Sequence, residues 1–109
     1  TLAAEVERFA GVAYGPLYRS LAAKWHEDMR FESSMHKMVA DPSARAIVAM
    51  GPAVIPLLLV DMEYRPSWLW PLALAAITGE SPVKVESAGR LHAVCADWFA
   101  WAASRNRAA

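Results

Sequence analysis

The run Trp68-Leu-Trp-Pro-Leu-Ala-Leu-Ala-Ala-Ile77 carries no charged, hydroxyl or amide side chain, and it limits the fold more than any other stretch. Read as a helix, it divides into two apolar faces. Leu72, Ala75 and Ala76 stack with Trp68, while Ala73, Leu74 and Ile77 stack with Trp70 on roughly the opposite side. A helix that is apolar all round is expected to be buried all round. The run is too short to span a bilayer, which takes about 20 apolar residues. Thr78-Gly79 ends it, with Gly79 placed for the left-handed position after the last turn. Pro71 falls in the first turn, where a missing N–H costs little.

The preceding segment, Val54-Ile-Pro-Leu-Leu-Leu-Val60 with Asp61 and Met62, is nearly as apolar. Val54, Ile55, Leu58, Leu59 and Met62 form one stripe, and Leu57, Val60 and Tyr64 a second. Pro66-Ser67 separates the two helices and offers Ser67 as an N-cap. The expectation is a packed antiparallel pair joined by a short turn.

Around this pair the spacing predicts amphipathic helices. Thr1 is placed to cap a short helix carrying Leu2, Val6 and Phe9 and closed by Gly11, with a turn at Tyr14-Gly15-Pro16. Pro16 then opens a longer helix with Leu17, Leu21, Trp25 and Met29 on one side and Arg19, Lys24, Glu27 and Asp28 on the other. Phe31-Glu-Ser-Ser34 interrupts it, and Ser34 caps a short turn through Met35, Met38 and Val39. Asp41-Pro42 starts a helix that runs to Met50 and ends at Gly51. Residues 80–84 form a loop, and Ser87 is read as the cap of a last helix bearing Leu91, Val94, Cys95, Trp98, Trp101 and Ala102. No strand is expected. The sequence therefore reads as a single all-α domain over 1–109, a compact bundle of five to six short helices. Its N-terminal helices occupy 1–40, the core 41–79, and a loop with the C-terminal helix 80–109.

Two resemblances bear on this reading. Ala46-Ile-Val-Ala-Met-Gly-Pro-Ala-Val-Ile-Pro-Leu-Leu-Leu59 resembles one HEAT-type helical hairpin, with Trp68–Gly79 starting a next unit. An array needs about three stacked units and this chain has at most one and a half, so the resemblance implies HEAT-like local packing at the central hairpin. Over about Ser20–Arg105 the chain is also similar to a family of short uncharacterised bacterial all-helical proteins. The residues that carry this are Met50-Gly51, Pro56-Leu57, Trp70, Ala73-Leu74, Ala76-Ile77-Thr78-Gly79-Glu80-x-Pro82-Val83, Gly89 and Trp98-x-x-Trp101. The chain departs from that pattern at Asp41 and Ala44, where the relatives carry His and Tyr. The resemblance implies a fold and brings no chemistry with it.

Composition narrows the function. Lys plus Arg equals Asp plus Glu, at 11 each, so no electrostatic pull toward nucleic acid is expected. One Cys excludes an internal disulfide framework. With no secretory or membrane-spanning pattern, the cytoplasm is the default expectation. His92 and Cys95 stand at a spacing that can share a metal, but His26 and His36 lie in other segments and no metal motif is present. Cys95 falls in an apolar stripe, where it reads as a small inert hydrophobe rather than a nucleophile. Glu27-Asp28 and Asp61/Glu63 read as solvated acids, and Ser33-Ser34 as a cap. No catalytic residue, metal site or cofactor is expected.

Five Trp in 109 residues is the one excess. Trp25, Trp98 and one of Trp68 and Trp70 fit a core, which leaves Trp101 and the other central Trp at its edge. The expected function is a protein–protein interaction module, a non-catalytic accessory or regulatory protein. Its apolar, Trp-rich face, drawn from Trp68, Trp70 and Trp101, would meet another protein or a second copy. The alternative is a small-ligand-binding domain or enzyme using a Trp-lined crevice, which needs convergent polar groups there.

Overall fold

The chain folds into α1 (Leu2–Asp28), α2 (Met35–Ala40), α3 (Pro42–Ala49), α4 (Ile55–Tyr64), α5 (Leu69–Thr78) and α6 (Leu91–Ala108), with 3-10 turns at Gly51–Val54 and Val85–Ser87. The structure is a computed structural model that describes the backbone of residues 2–108 and the side chains of residues 14–105. No strand occurs among the described residues, and the all-helical bundle expected from the periodicity is what forms.

Short-range chemistry places most boundaries. Ser34 accepts the Lys37 N–H at the start of α2. Asp41 accepts the Ser43 and Ala44 N–H groups at 2.9 and 3.3 Å, with Pro42 in the first turn of α3. Both bonds satisfy amides that a helix N-terminus leaves orphaned. After α3 the path bends by 104° between Pro42–Ala49 and Gly51–Tyr64. Gly51 takes φ +73° there, a region that costs any other residue a Cβ clash. Gly79, at φ +69°, closes α5, and its N–H donates to the Ala75 carbonyl at 2.9 Å.

Three expectations about element boundaries need correction. The turn at Tyr14-Gly15-Pro16 and the closure at Gly11 do not occur, because α1 runs unbroken through Pro16. A proline disfavours helix in the residue before it partly through a clash with that residue's Cβ. Here the preceding residue is Gly15, which has none, and the Pro16 ring lies exposed. The predicted Thr1 cap and the Leu2, Val6 and Phe9 stripe lie outside the described side chains. The second correction is at Gly51–Val54, a 3-10 turn that precedes α4 instead of belonging to it. The third is Ser87, which is buried inside the Val85–Ser87 turn and does not cap α6. Its hydroxyl bonds the buried Asp97 carboxylate, which also accepts the Lys84 N–H at 3.0 Å. Those bonds hold Asp97 below the usual carboxylate range, the backbone bond from Lys84 first and the Ser87 hydroxyl second, and they pin the loop to α6.

The core gathers Tyr18, Ala22 and Trp25 of α1, Ala44 and Ile47 of α3, Val54, Leu58 and Met62, then Leu69, Trp70, Ala73 and Leu74 of α5, and Val94, Cys95 and Trp98 of α6. α5 meets α2, α3, α4 and α6. It is not buried all round, however. The Trp70, Ala73, Leu74 side is inside, whereas Leu72 and Ala75 are half-buried and Ala76 is exposed. The other helices suffice to cover one face of α5 and leave the Trp68 face partly open.

Candidate functional site

The five Trp divide by the helices that present them. Trp25 and Trp98 are fully inside. Trp25 donates its indole N–H to the Met38 carbonyl at 2.9 Å, tying α1 to α2. Trp70, expected as a partner-binding residue, is only 3 % exposed. Its N–H reaches back to the Arg65 carbonyl at 2.8 Å, which satisfies a donor that burial would otherwise orphan. Trp70 is therefore a core residue and forms no part of an exposed face. Trp68 is half-buried at the start of α5. Trp101 is half-buried on α6, edge-on to Trp98 at 5.3 Å and under the Arg105 guanidinium at 4.8 Å. Arg105 is held in turn by Glu80. The Trp101 indole nitrogen is buried with no partner among the described residues.

Two apolar clefts open on the uncovered face of α5. One, of about 220 Å³, is bounded by Met35, Trp68, Leu72, Ala75, Val83 and Trp98, among others. The second, of about 280 Å³, includes Trp25, Val39, Val48, Leu72 and Ala76, with Arg45 as its charged member. Leu72 belongs to both. α2 contributes Met35 to the first and Val39 to the second, and these side chains are 56 % and 37 % exposed. α2 has no fully buried residue of its own.

A polar cleft of about 470 Å³ lies between α1 and the α4–α5 connection. α1 supplies Arg19, Ala22, Ala23 and His26, α4 supplies Asp61, and the connection supplies Arg65, Pro66 and Ser67, with Trp70 behind them. The His26 Nδ1 stands 2.9 Å from the Ala22 carbonyl oxygen, and its Nε2 stands 2.9 Å from Ser67 Oγ. A carbonyl only accepts, so Nδ1 carries the proton, and in the neutral ring Nε2 accepts from the Ser67 hydroxyl. The His26 ring lies 4.4 Å from the Trp70 ring. Beside this pair, the Tyr18 hydroxyl donates to Asp61 at 2.6 Å. Burial first, and the Asp61 hydrogen bond second, push the Tyr18 phenol far above its ordinary range, so it remains a donor. Arg65 approaches the other Asp61 oxygen at 3.5 Å.

A Ser hydroxyl bonded to an oriented His is the geometry of an activated nucleophile. Acyl transfer also needs free donors where the oxyanion forms. The Leu69 N–H, at the helix start nearest Ser67, is already spent on Ser67 Oγ at 3.1 Å. The His26–Ser67 bond ties α1 to the α4–α5 connection.

The other candidate residues lie apart. Cys95 is buried, and burial pushes its thiol up, while His92 one turn away is exposed. No group of three or more His, Cys, Asp or Glu side chains is arranged to hold a metal among the described residues. Glu27 and Asp28 are surface partners of Arg30 and Lys24. Ser33 is exposed and Ser34 caps α2. Glu63 is exposed as expected, but Asp61 is not a solvated acid: its side chain is 19 % exposed and tied to Tyr18. The sequence reading missed the Tyr18–Asp61 and His26–Ser67 pairs because their members stand 43 and 41 residues apart. No single helix among the described residues is both long and apolar enough to cross a membrane. No family model, no curated protein and no solved structure matches the chain.

Proposed function

We propose that this chain is a non-catalytic protein–protein interaction module that docks a partner, or a second copy, on the open face of α5. The observation that carries this reading is the pair of apolar clefts that share Leu72 and flank α2. Water in such clefts touches mainly carbon, and displacing it with a partner's side chains is favourable in proportion to the area covered. Trp68 is the large aromatic at one end of this face, in a setting where such side chains act as anchors. Met35 adds an unbranched side chain that adapts to an irregular partner surface. Leu72 lies where the two clefts meet, with Met35 and Trp68 on one side and Val39 on the other, and Trp101 on a neighbouring part of α6.

A photo-crosslinking side chain placed at Met35 or Val39 in the native host, with exposed Leu17 of α1 as the control position, tests this. The reading expects discrete adducts from positions 35 and 39, absent from 17 and lost when Leu72 is changed to Asp in a protein that keeps its helical spectrum. Light scattering over a concentration series separates a second copy from a different partner. Equal adducts from all three positions, or none from 35 and 39 together with a strict monomer, would refute it.

A further inference from the structure

We infer that the polar cleft between α1 and the α4–α5 connection binds a small carboxylate with an apolar body, a site that shares no residue with the docking face.

The argument is a count of donors against acceptors. Asp61 is the cleft's only acidic side chain, and both of its oxygens are engaged, one by Tyr18 and one by Arg65. The Ala22 carbonyl is taken by His26, and the Arg65 carbonyl by the Trp70 indole. Arg19 is different. Its guanidinium lies over Gly15, where an added Cβ would stand 3.3 Å from it. It has no ion-pair or hydrogen-bond partner among the described residues. Arg65 reaches Asp61 at only 3.5 Å and is mostly exposed, so most of its N–H groups are free. Two guanidiniums against one carboxylate leave the cleft with one positive charge in excess. A complementary ligand must bring acceptors and a negative charge.

Shape narrows the class. A guanidinium presents a planar fork of donors that a carboxylate matches with two parallel hydrogen bonds. Of the remaining wall, Ala22 and Trp70 are buried, and Ala23 and Pro66 present carbon to the cleft. An apolar body covers that wall, whereas a bare inorganic anion leaves it wet. The volume of about 470 Å³ lies within the range of small-molecule sites.

The test uses the full chain, labelled with ¹⁵N and titrated with sodium benzoate. Benzamide serves as the uncharged isostere, and inorganic phosphate as the anion without an apolar body. Benzoate is expected to shift the Trp70 indole N–H and the Ala23 and Ser67 amides saturably. Benzamide and phosphate should each bind at least about tenfold more weakly. Arg19→Gln and Arg65→Gln should each raise the benzoate Kd about tenfold or more, the loss expected for a hydrogen bond to a charged group. Arg19 is exposed, so its variant keeps the fold, which circular dichroism verifies. No saturable shift with benzoate, equal affinity for benzamide, or an Arg19→Gln protein that binds as tightly as the parent would overturn the site. Phosphate binding tighter than benzoate would overturn the ligand class.

Discussion

Tyr18→Phe removes one oxygen from a position that is 2 % exposed, leaving the ring's packing intact. What is lost is the 2.6 Å bond to Asp61, in the short range found when the acceptor is a carboxylate. Hydrogen bonds to charged groups contribute about 1.5–3 kcal/mol. Two features set the value here. Arg65, the other partner of Asp61, stands at 3.5 Å on a 78 % exposed side chain, too loose and too solvated to compensate. Against that, the Asp61 side chain retains 19 % exposure, so water partly replaces the phenol. The expected cost is about 2 kcal/mol, roughly 8–15 °C in Tm for a domain of this size. Alkaline pH supplies a second, independent reading. The folded phenol is raised above its ordinary value near 10, so its contribution is fully present below the unfolded pKa and is lost as pH rises above it. Urea melts of parent and Tyr18→Phe should therefore differ most near neutral pH and converge above about pH 10. An Asp61→Asn cycle isolates the pairwise energy. A cost below 0.5 kcal/mol at neutral pH, or a gap constant through the alkaline limb, would refute the reasoning.

Leu58→Ala and Leu74→Ala empty fully buried positions and should each cost about 2–5 kcal/mol in denaturant melts; a value below 1 kcal/mol would mean the core is elsewhere. Gly79→Ala meets no neighbour within 4 Å but must hold φ +69°, so a loss of about 1–2 kcal/mol is expected from the backbone alone. Cys95, buried and with a raised thiol, should resist iodoacetamide in the folded protein and react quickly in denaturant; rapid labelling of the native state would show the thiol to be accessible.

Three short-range signals were legible in the sequence and landed where expected. Ser34, Asp41 and Gly79 act locally, through an adjacent amide or their own φ. The two faces of α5 were legible as well, since helical spacing alone places Leu72, Ala75 and Ala76 apart from Trp70 and Leu74. Which face the rest of the chain covers was not, because that depends on how many helices reach it. Ser67 read as a cap, and it does accept the Leu69 N–H. Its second bond, to His26, is set by the approach of α1 to the α4–α5 connection, and no periodicity reports such a meeting. The same holds for Tyr18 and Asp61. Tyr14-Gly15-Pro16 reads as a turn, yet Gly15 has no Cβ to clash with the proline ring, so the helix continues.

α2 seats one half-buried side chain, Met38, against the core. It buries no residue completely, and its firmest tie to α1 is the bond from the Trp25 indole to the Met38 carbonyl. The free energy of local opening follows the apolar area and the hydrogen bonds lost. By that measure residues 35–40 are the helical segment expected to open at the least cost. The amides of α2 are then expected to exchange with deuterium ahead of those of α3 and α5, and a molecule that seats on the clefts with α2 closed slows that exchange and adds to global stability by mass action.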